Sequence, residues 1–258
     1  MLWNALKKRS ALLKKKDCRR RIVGKGKTVS SRQWLQRQSQ DSFVKKARTE
    51  GYRCRAAYKL LALEQRYGFL KGARVIIDLG AAPGGWSQVL AQNKSSPLKE
   101  KPLLIAVDSR PFSPIEGITF VQGMFEDEKT QRSLISLLQG RAVDVVLSDM
   151  APNTIGRRQI DHLQSLALAE EAYTFAQQYL VSGGHFVTKI FQGGAEKSFF
   201  NDLKQNFQNV FFAKPPASRA ESCECYLVAM TFRKRGAPSL ALTSSLGPLV
   251  DPCDVDHA

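Results

Sequence analysis

Histidine is scarce in this 258-residue chain, with three in all, and cysteine is present in an odd number, five. Cys18, Cys54 and Cys253 stand alone, which excludes a disulfide framework as the basis of the fold. Cys223 and Cys225 form a Cys-x-Cys on an expected strand, where side chains two apart share a face. No second cysteine or histidine pair accompanies them, so ordinary buried or half-buried thiols are expected and a metal is not. His162 and His185 also lack a partner motif and read as satisfied histidines. No apolar run approaches the roughly 18 residues of a membrane span, and no stretch near the start resembles the apolar core of a secretory signal. The expectation is a soluble, cytoplasmic protein without internal repeats. A Gly-x-Gly-x-x-Gly fingerprint is missing too, which counts against a nicotinamide or flavin.

Acidic residues are lacking where basic ones are densest. Residues 1–58 carry 18 Lys and Arg against Asp17, Asp41 and Glu50, a net of +15, whereas residues 59–258 carry 21 against 20, a net of +1. Such a segment binds polyanions by neutralising phosphates and releasing their counterions. A solvated tail or an organelle transit peptide has the same composition. The basic residues continue into ordered-looking sequence, however, which favours contact with RNA.

Residues 1–29 lack a steady apolar period and read as a disordered basic tail. From Ser30 or Ser31, either a possible cap, a helical pattern places Trp34, Leu35, Phe43 and Val44 on one face, and a second helix over 55–67 buries Ala56, Leu60 and Leu63 and carries Lys59. A strand at 74–80 ends in a glycine turn, and a helix follows from Gly84. Beyond the polar connection 93–102, strands are expected at 103–108, 118–122, 143–149, 185–190, 209–214 and 224–232, with helices near 127–139, 161–180 and 195–206 and a turn at 182–184. This alternation calls for an α/β fold with a mostly parallel sheet covered on both faces, its final strand antiparallel. Residues 30–235 form that domain, the helices of 30–70 face RNA, and 236–258 is a loose tail.

The stretch DLGAAPGGW at 78–86 is the centre of the functional reading. Its glycines let backbone approach a ligand, the N–H groups of the next helix suit a carboxylate, and Asp78 and Asp108 add acceptors for amine and ribose hydroxyl groups. Together they suit a cofactor that combines an amino acid with a nucleoside. Elsewhere, Asp149 ends a buried strand, Lys189 interrupts an apolar one, Glu224 begins the last, and Lys59 lies on the helix before the sheet. A charge within an apolar strand costs several kcal/mol unless paired, so Lys189 needs a carboxylate, and Asp149 and Glu224 are candidates. A purely structural ion pair is the plain alternative. Arg219, beside Pro215 and Pro216, suits a phosphate.

The motifs Lys59-Leu60, DLGAAPGGW, SDMAPN at 148–153, KIFQG at 189–193 and Ser218-Arg219 ahead of Glu224 resemble, in order and spacing, the FtsJ-type ribose 2′-O-methyltransferases. The resemblance covers about residues 30–235 and implies a Rossmann-like, seven-stranded methyltransferase fold that works as a monomer without a metal. It implies S-adenosylmethionine as cofactor, held by Gly84, Trp86, Asp108, Met124 and Asp149, although Trp86 fits the core as well as a cofactor wall. It further implies a catalytic tetrad of Lys59, Asp149, Lys189 and Glu224, with Lys189 taking the proton of a ribose hydroxyl. In the nearest branch the substrate is a uridine of 23S rRNA in the large ribosomal subunit. Met124 departs from the pattern, since the family has an Asp there for the adenine amine; Glu126 or a backbone carbonyl is then left to accept it. A mitochondrial rRNA methyltransferase, a base-modifying methyltransferase and a non-catalytic RNA-binding assembly protein are the competing readings; SDMAPN lacks the aromatic that stacks a flipped base.

Overall fold

A computed structural model of the chain describes residues 36, 38–93 and 101–233. The expected tails at 1–29 and 236–258, the cap at Ser30 or Ser31, and the placement of Trp34 and Leu35 lie outside those residues. Within them run α1 (Ser42–Glu50), α2 (Ala57–Tyr67), β1 (Val75–Leu79), α3 (Gly85–Gln92), β2 (Leu103–Asp108), β3 (Ile118–Gln122) and α4 (Glu128–Leu138). They continue as β4 (Val143–Ser148), α5 (Arg158–Tyr179), β5 (Leu180–Phe191), α6 (Glu196–Asn206), β6 (Phe207–Ala213) and β7 (Glu224–Phe232).

The seven strands form one sheet in the order β3-β2-β1-β4-β5-β7-β6, parallel except for β7, which is antiparallel to both neighbours. That is the Rossmann-like arrangement expected. Alternation along β1 shows how the layers are built, because successive side chains leave opposite faces of a strand. Val75, Ile77 and Leu79 join the apolar layer beneath α4, α5 and α6, while Ile76 joins the layer beneath α2 and α3. All five residues of β1 are buried, as befits a central parallel strand.

Two local expectations are corrected. The N-terminal helical pattern breaks at Asp41, whose carboxylate accepts from the Phe43 and Val44 N–H groups and caps α1. No separate turn occupies 182–184, because β5 starts at Leu180 and absorbs an irregularity in its pairing with β4 between Val143 and Val145. Gly183, at φ +89°, permits this kink.

Strand order reverses between β1 and β4, and in open α/β sheets a ligand crevice lies beyond the carboxyl ends of the strands at such a point. Gly80 follows β1 and Asp149 follows β4, so these residues flank the crevice from its two sides. They are in close contact: a Cβ at Gly80 would lie 2.6 Å from the Met150 nitrogen and 2.8 Å from its Cα.

Candidate active site

A cavity of about 780 Å³ opens at this end of the sheet, lined by Gly80 and Ala82, by Asp108 to Arg110, by Gly123 to Glu126, by Asp149 to Asn153 and by Lys189. One face of α5 closes it. The volume suits a nucleoside-sized ligand. Two observations fit a cofactor with amino acid and nucleoside parts. Gly80, a cavity-lining residue, packs so tightly on the Met150 backbone that no side chain fits there, which joins the loops after β1 and β4 into one wall of bare backbone. Beneath it, Asp78 is 1 % exposed and its Oδ1 has no hydrogen-bond partner among the described residues, while Oδ2 accepts from the Ser87 hydroxyl at 2.6 Å. Burial pushes the Asp78 carboxyl up to about 7, against which the Ser87 hydrogen bond works, and the negative charges of Asp149 and Asp108 add to the rise.

Asp108 lines the cavity and also shapes the loop: its carboxylate accepts from the Ala82 and Arg110 N–H groups, each at 2.8 Å. Met124 lines the cavity and is 54 % exposed. Neither Gly84 nor Trp86 is among the residues that line the cavity. Gly84 faces Arg53 and Ile115, and Trp86 is 2 % exposed, packed in the layer under α2 and α3, donating its indole N–H to the Ala56 carbonyl.

The four charged residues come together as two ion pairs. Ser148 and Thr188 are neighbours in the parallel β4–β5 register, which sets Asp149 beside Lys189, and the Lys189 Nζ lies 3.0 Å from Asp149 Oδ1. Across the antiparallel β5–β7 pair, Lys189 faces Tyr226 and Phe191 faces Glu224, so residues 189, 224 and 226 share a face. On that face α2 presents Lys59, whose Nζ sits 2.7 and 2.8 Å from the two Glu224 oxygens. Burial by itself raises the Asp149 carboxyl. The ammonium groups of Lys189 and Lys59 and the Tyr226 hydroxyl outweigh it and hold the group below its ordinary value.

Tyr226 joins the two pairs and was missed by the sequence reading. Its hydroxyl donates to Asp149 Oδ1 at 2.8 Å, its ring lies 5.8 Å from the Lys59 Nζ, and it is fully buried against Trp86. Burial, followed by the nearby carboxylates, raises its phenol well above the usual value, so it remains a donor. The signal was available: two residues after Glu224 on a strand means the same face. Ser218, which the sequence offered only as part of a motif, also joins the set, its hydroxyl donating to Glu224 Oε1 at 2.7 Å.

Near Glu224, Asp41 gathers two arginines. Its Oδ2 pairs with Arg55 and with Arg219 at 3.4 Å, and Arg55 also donates to the Ala217 carbonyl. The Nη2 of Arg219 is buried without a hydrogen-bond partner among the described residues. Arg53, also unforeseen, donates to the carbonyls of Pro83, Ser113 and Pro114, tying the glycine loop to the β2–β3 connection. His162 is a satisfied histidine, 3 % exposed, between the Phe191 carbonyl and the Ala195 N–H, and His185 Nδ1 accepts from Thr231 N–H. Cys225 is buried as expected, but Cys223, outside β7, is exposed. Among the described residues no helix is long and apolar enough to cross a membrane.

A glycine loop and a buried lysine–carboxylate set at the switch point of this sheet are the attributes of a Rossmann-like group-transfer enzyme. Residues 52–232 match the model of the FtsJ-like methyltransferase family. The chain belongs to the FtsJ-like methyltransferase family and is a methyltransferase. It is 51 % identical over 207 residues to the ribosomal RNA large subunit methyltransferase E of Zymomonas mobilis, covering 80 % of this chain and 91 % of that protein. The protein of the same name from Sphingopyxis alaskensis is 47 % identical over 214 residues, 83 % of this chain and 90 % of the relative. Among solved structures, one described as a ribosomal RNA methyltransferase from Plasmodium falciparum is similar with a TM-score of 0.62 and 34 % identity, over 70 % of this chain and 98 % of that one.

Proposed function

We propose that the chain transfers a methyl group from S-adenosylmethionine to the ribose 2′-hydroxyl of a uridine in the 23S rRNA of the large ribosomal subunit, with Lys189 as base. The observation that carries this reading is the Lys189 Nζ on the wall of the cavity, held at 3.0 Å by an aspartate of the same wall. The names of the two bacterial relatives support the substrate. The basic residues 1–58 supply the phosphate affinity it requires.

Gly80, Ala82, Asp108 and Asp149 are the residues that hold the cofactor, and Met124 packs against its flat end. The bound cofactor supplies an already activated methyl on a sulfonium. The protein must then place a weak nucleophile in line and remove its proton. To act as base Lys189 must enter the reaction as the free amine, its own proton already given up to solvent; it then takes the proton of the 2′-hydroxyl as the oxygen–carbon bond forms and the methyl–sulfur bond breaks. Asp149 keeps the Lys189 amine pointed into the cavity and Tyr226 keeps Asp149 from turning. Lys59, tethered through both oxygens of Glu224, holds the ribose side of the site and offsets negative charge developing on oxygen. Arg55 and Arg219, gathered by Asp41, are the side chains suited to the RNA backbone.

The test is transfer of tritiated methyl groups to large-subunit rRNA taken from cells that lack this modification. A ribose 2′-O-methyl blocks alkaline cleavage of its own linkage, so label in alkali-resistant dinucleotides is expected. Label in mononucleotides points to a base methyltransferase instead, and no label with wild-type protein points to a binding protein. Lys189→Ala is expected to abolish transfer while RNA binding stays intact.

A further inference from the structure

The end of the cavity away from Lys189 is formed by the loop after β3 and by α5. Gln164, Ala167, Leu168 and Glu171 line it at spacings of three, four and seven residues, which is one face of a helix. The register of that face is set by Phe175. Its ring meets Phe125 edge-on at 5.7 Å and 81°. One turn before Phe175 on the same face is Glu171, which therefore stands beside residues 124–126. Two carboxylates, Glu171 and Glu126, thus border one part of the cavity, and neither has an ion pair or hydrogen bond among the described residues. They sense each other: burial, then the charge of Glu126, raises the Glu171 carboxyl above the ordinary value. Glu171 is half-buried and Glu126 exposed, so Glu171 is the one facing inward. Met124, which lines the same cavity, has a thioether that accepts hydrogen bonds only weakly.

We propose that Glu171 is the acceptor for the exocyclic amine of the cofactor's adenine, and that it makes the site selective for a 6-amino over a 6-oxo purine. The proposal rests on reading the cavity as the S-adenosylmethionine site. The amine presents two N–H donors, and an ionised carboxylate forms the stronger, charge-assisted bond to such a donor. Against a 6-oxo purine the same carboxylate faces a carbonyl oxygen, and two acceptors without a proton between them repel. Placing the acceptor on α5 also explains how the site functions with a methionine at 124.

The experiment is calorimetric binding of S-adenosylhomocysteine and S-inosylhomocysteine to the full chain, wild type and with Glu171→Leu, Glu171→Gln or Glu126→Gln, with circular dichroism to check folding. Wild type is expected to prefer the adenine compound at least about tenfold, the worth of one charge-assisted hydrogen bond. Glu171→Leu is expected to weaken S-adenosylhomocysteine about ten- to a hundredfold and to erase the preference. Glu171→Gln falls between the two, and Glu126→Gln shifts either affinity less than about threefold, as for an exposed charge. A folded Glu171→Leu that keeps the adenine preference overturns the proposal, as does transfer of the whole effect to Glu126→Gln. Wild-type protein that binds neither compound overturns the cofactor reading itself, and this proposal with it.

Discussion

Replacing Tyr226 with Phe removes one atom from the centre of the site and leaves the rest of the packing in place. The lost hydroxyl donates at 2.8 Å to the same Asp149 oxygen that lies 3.0 Å from the Lys189 Nζ. A hydrogen bond to a charged group contributes about 1.5–3 kcal/mol, and about 1.36 kcal/mol corresponds to a factor of ten in rate. If the whole contribution is expressed in placing Lys189, kcat falls by about 10- to 150-fold. The ring stays 5.7 Å from Trp86 and under Lys59, so folding and S-adenosylhomocysteine affinity are expected to change little. Single-turnover methyl transfer to rRNA measures the effect, and a cycle with Asp149→Asn isolates the coupling between the two side chains. A kcat within twofold of wild type in a folded protein refutes the role given to the hydroxyl. So would a loss that is fully additive with Asp149→Asn.

Gly80→Ala should lower the melting temperature and weaken cofactor binding together, since a left-handed φ of +76° costs a side chain about 1–2 kcal/mol and the new Cβ meets the Met150 backbone; a variant with unchanged calorimetric affinity contradicts this. Asp78 titrates near 7 when folded and near 3.8 when unfolded, so the folded chain keeps a proton that the unfolded chain releases. Stability therefore falls as pH rises from about 4 through 7 and levels off above that. Asp78→Asn lacks this loss, and its melting temperature should gain on wild type between pH 5 and 8; a constant gap would tell against the buried acid. Asp41→Ala should cost about 1 kcal/mol for the α1 cap alone and leave Arg55 and Arg219 facing each other, seen as a raised KM for RNA with kcat nearly unchanged.

Most of the sheet was legible because buried parallel strands are short apolar runs bounded by turns. Lys189 and Asp149 stood out for a related reason, as charges where the pattern demanded apolar residues. Periodicity could not distinguish a residue that lines a cavity from one that packs behind it, which is why the sequence left Trp86 open between core and cofactor wall; it packs in the layer under α2 and α3. Nor could it register a partner distant in sequence, such as Asp41 with Arg219, or a hydroxyl from an irregular segment, such as Ser218 with Glu224, since a single polar residue outside a helix or strand carries no period. The break at Asp41 was hidden by the apolar spacing that continues on both sides of it. At the β5 kink, Gly183 signalled a turn, and only pairing with β4 shows that the strand continues through it.

The position of β7 has a consequence for biogenesis. Among the described residues it is the latest strand in sequence, yet it lies inside the sheet, and β6 pairs with it alone. During synthesis β6 leaves the ribosome before the strand it pairs with, and Lys59 waits for a carboxylate 165 residues further along. Closure of the sheet and assembly of the reacting groups thus become a single late event. A growing polypeptide acquires activity all at once, after its last strand has threaded into the middle.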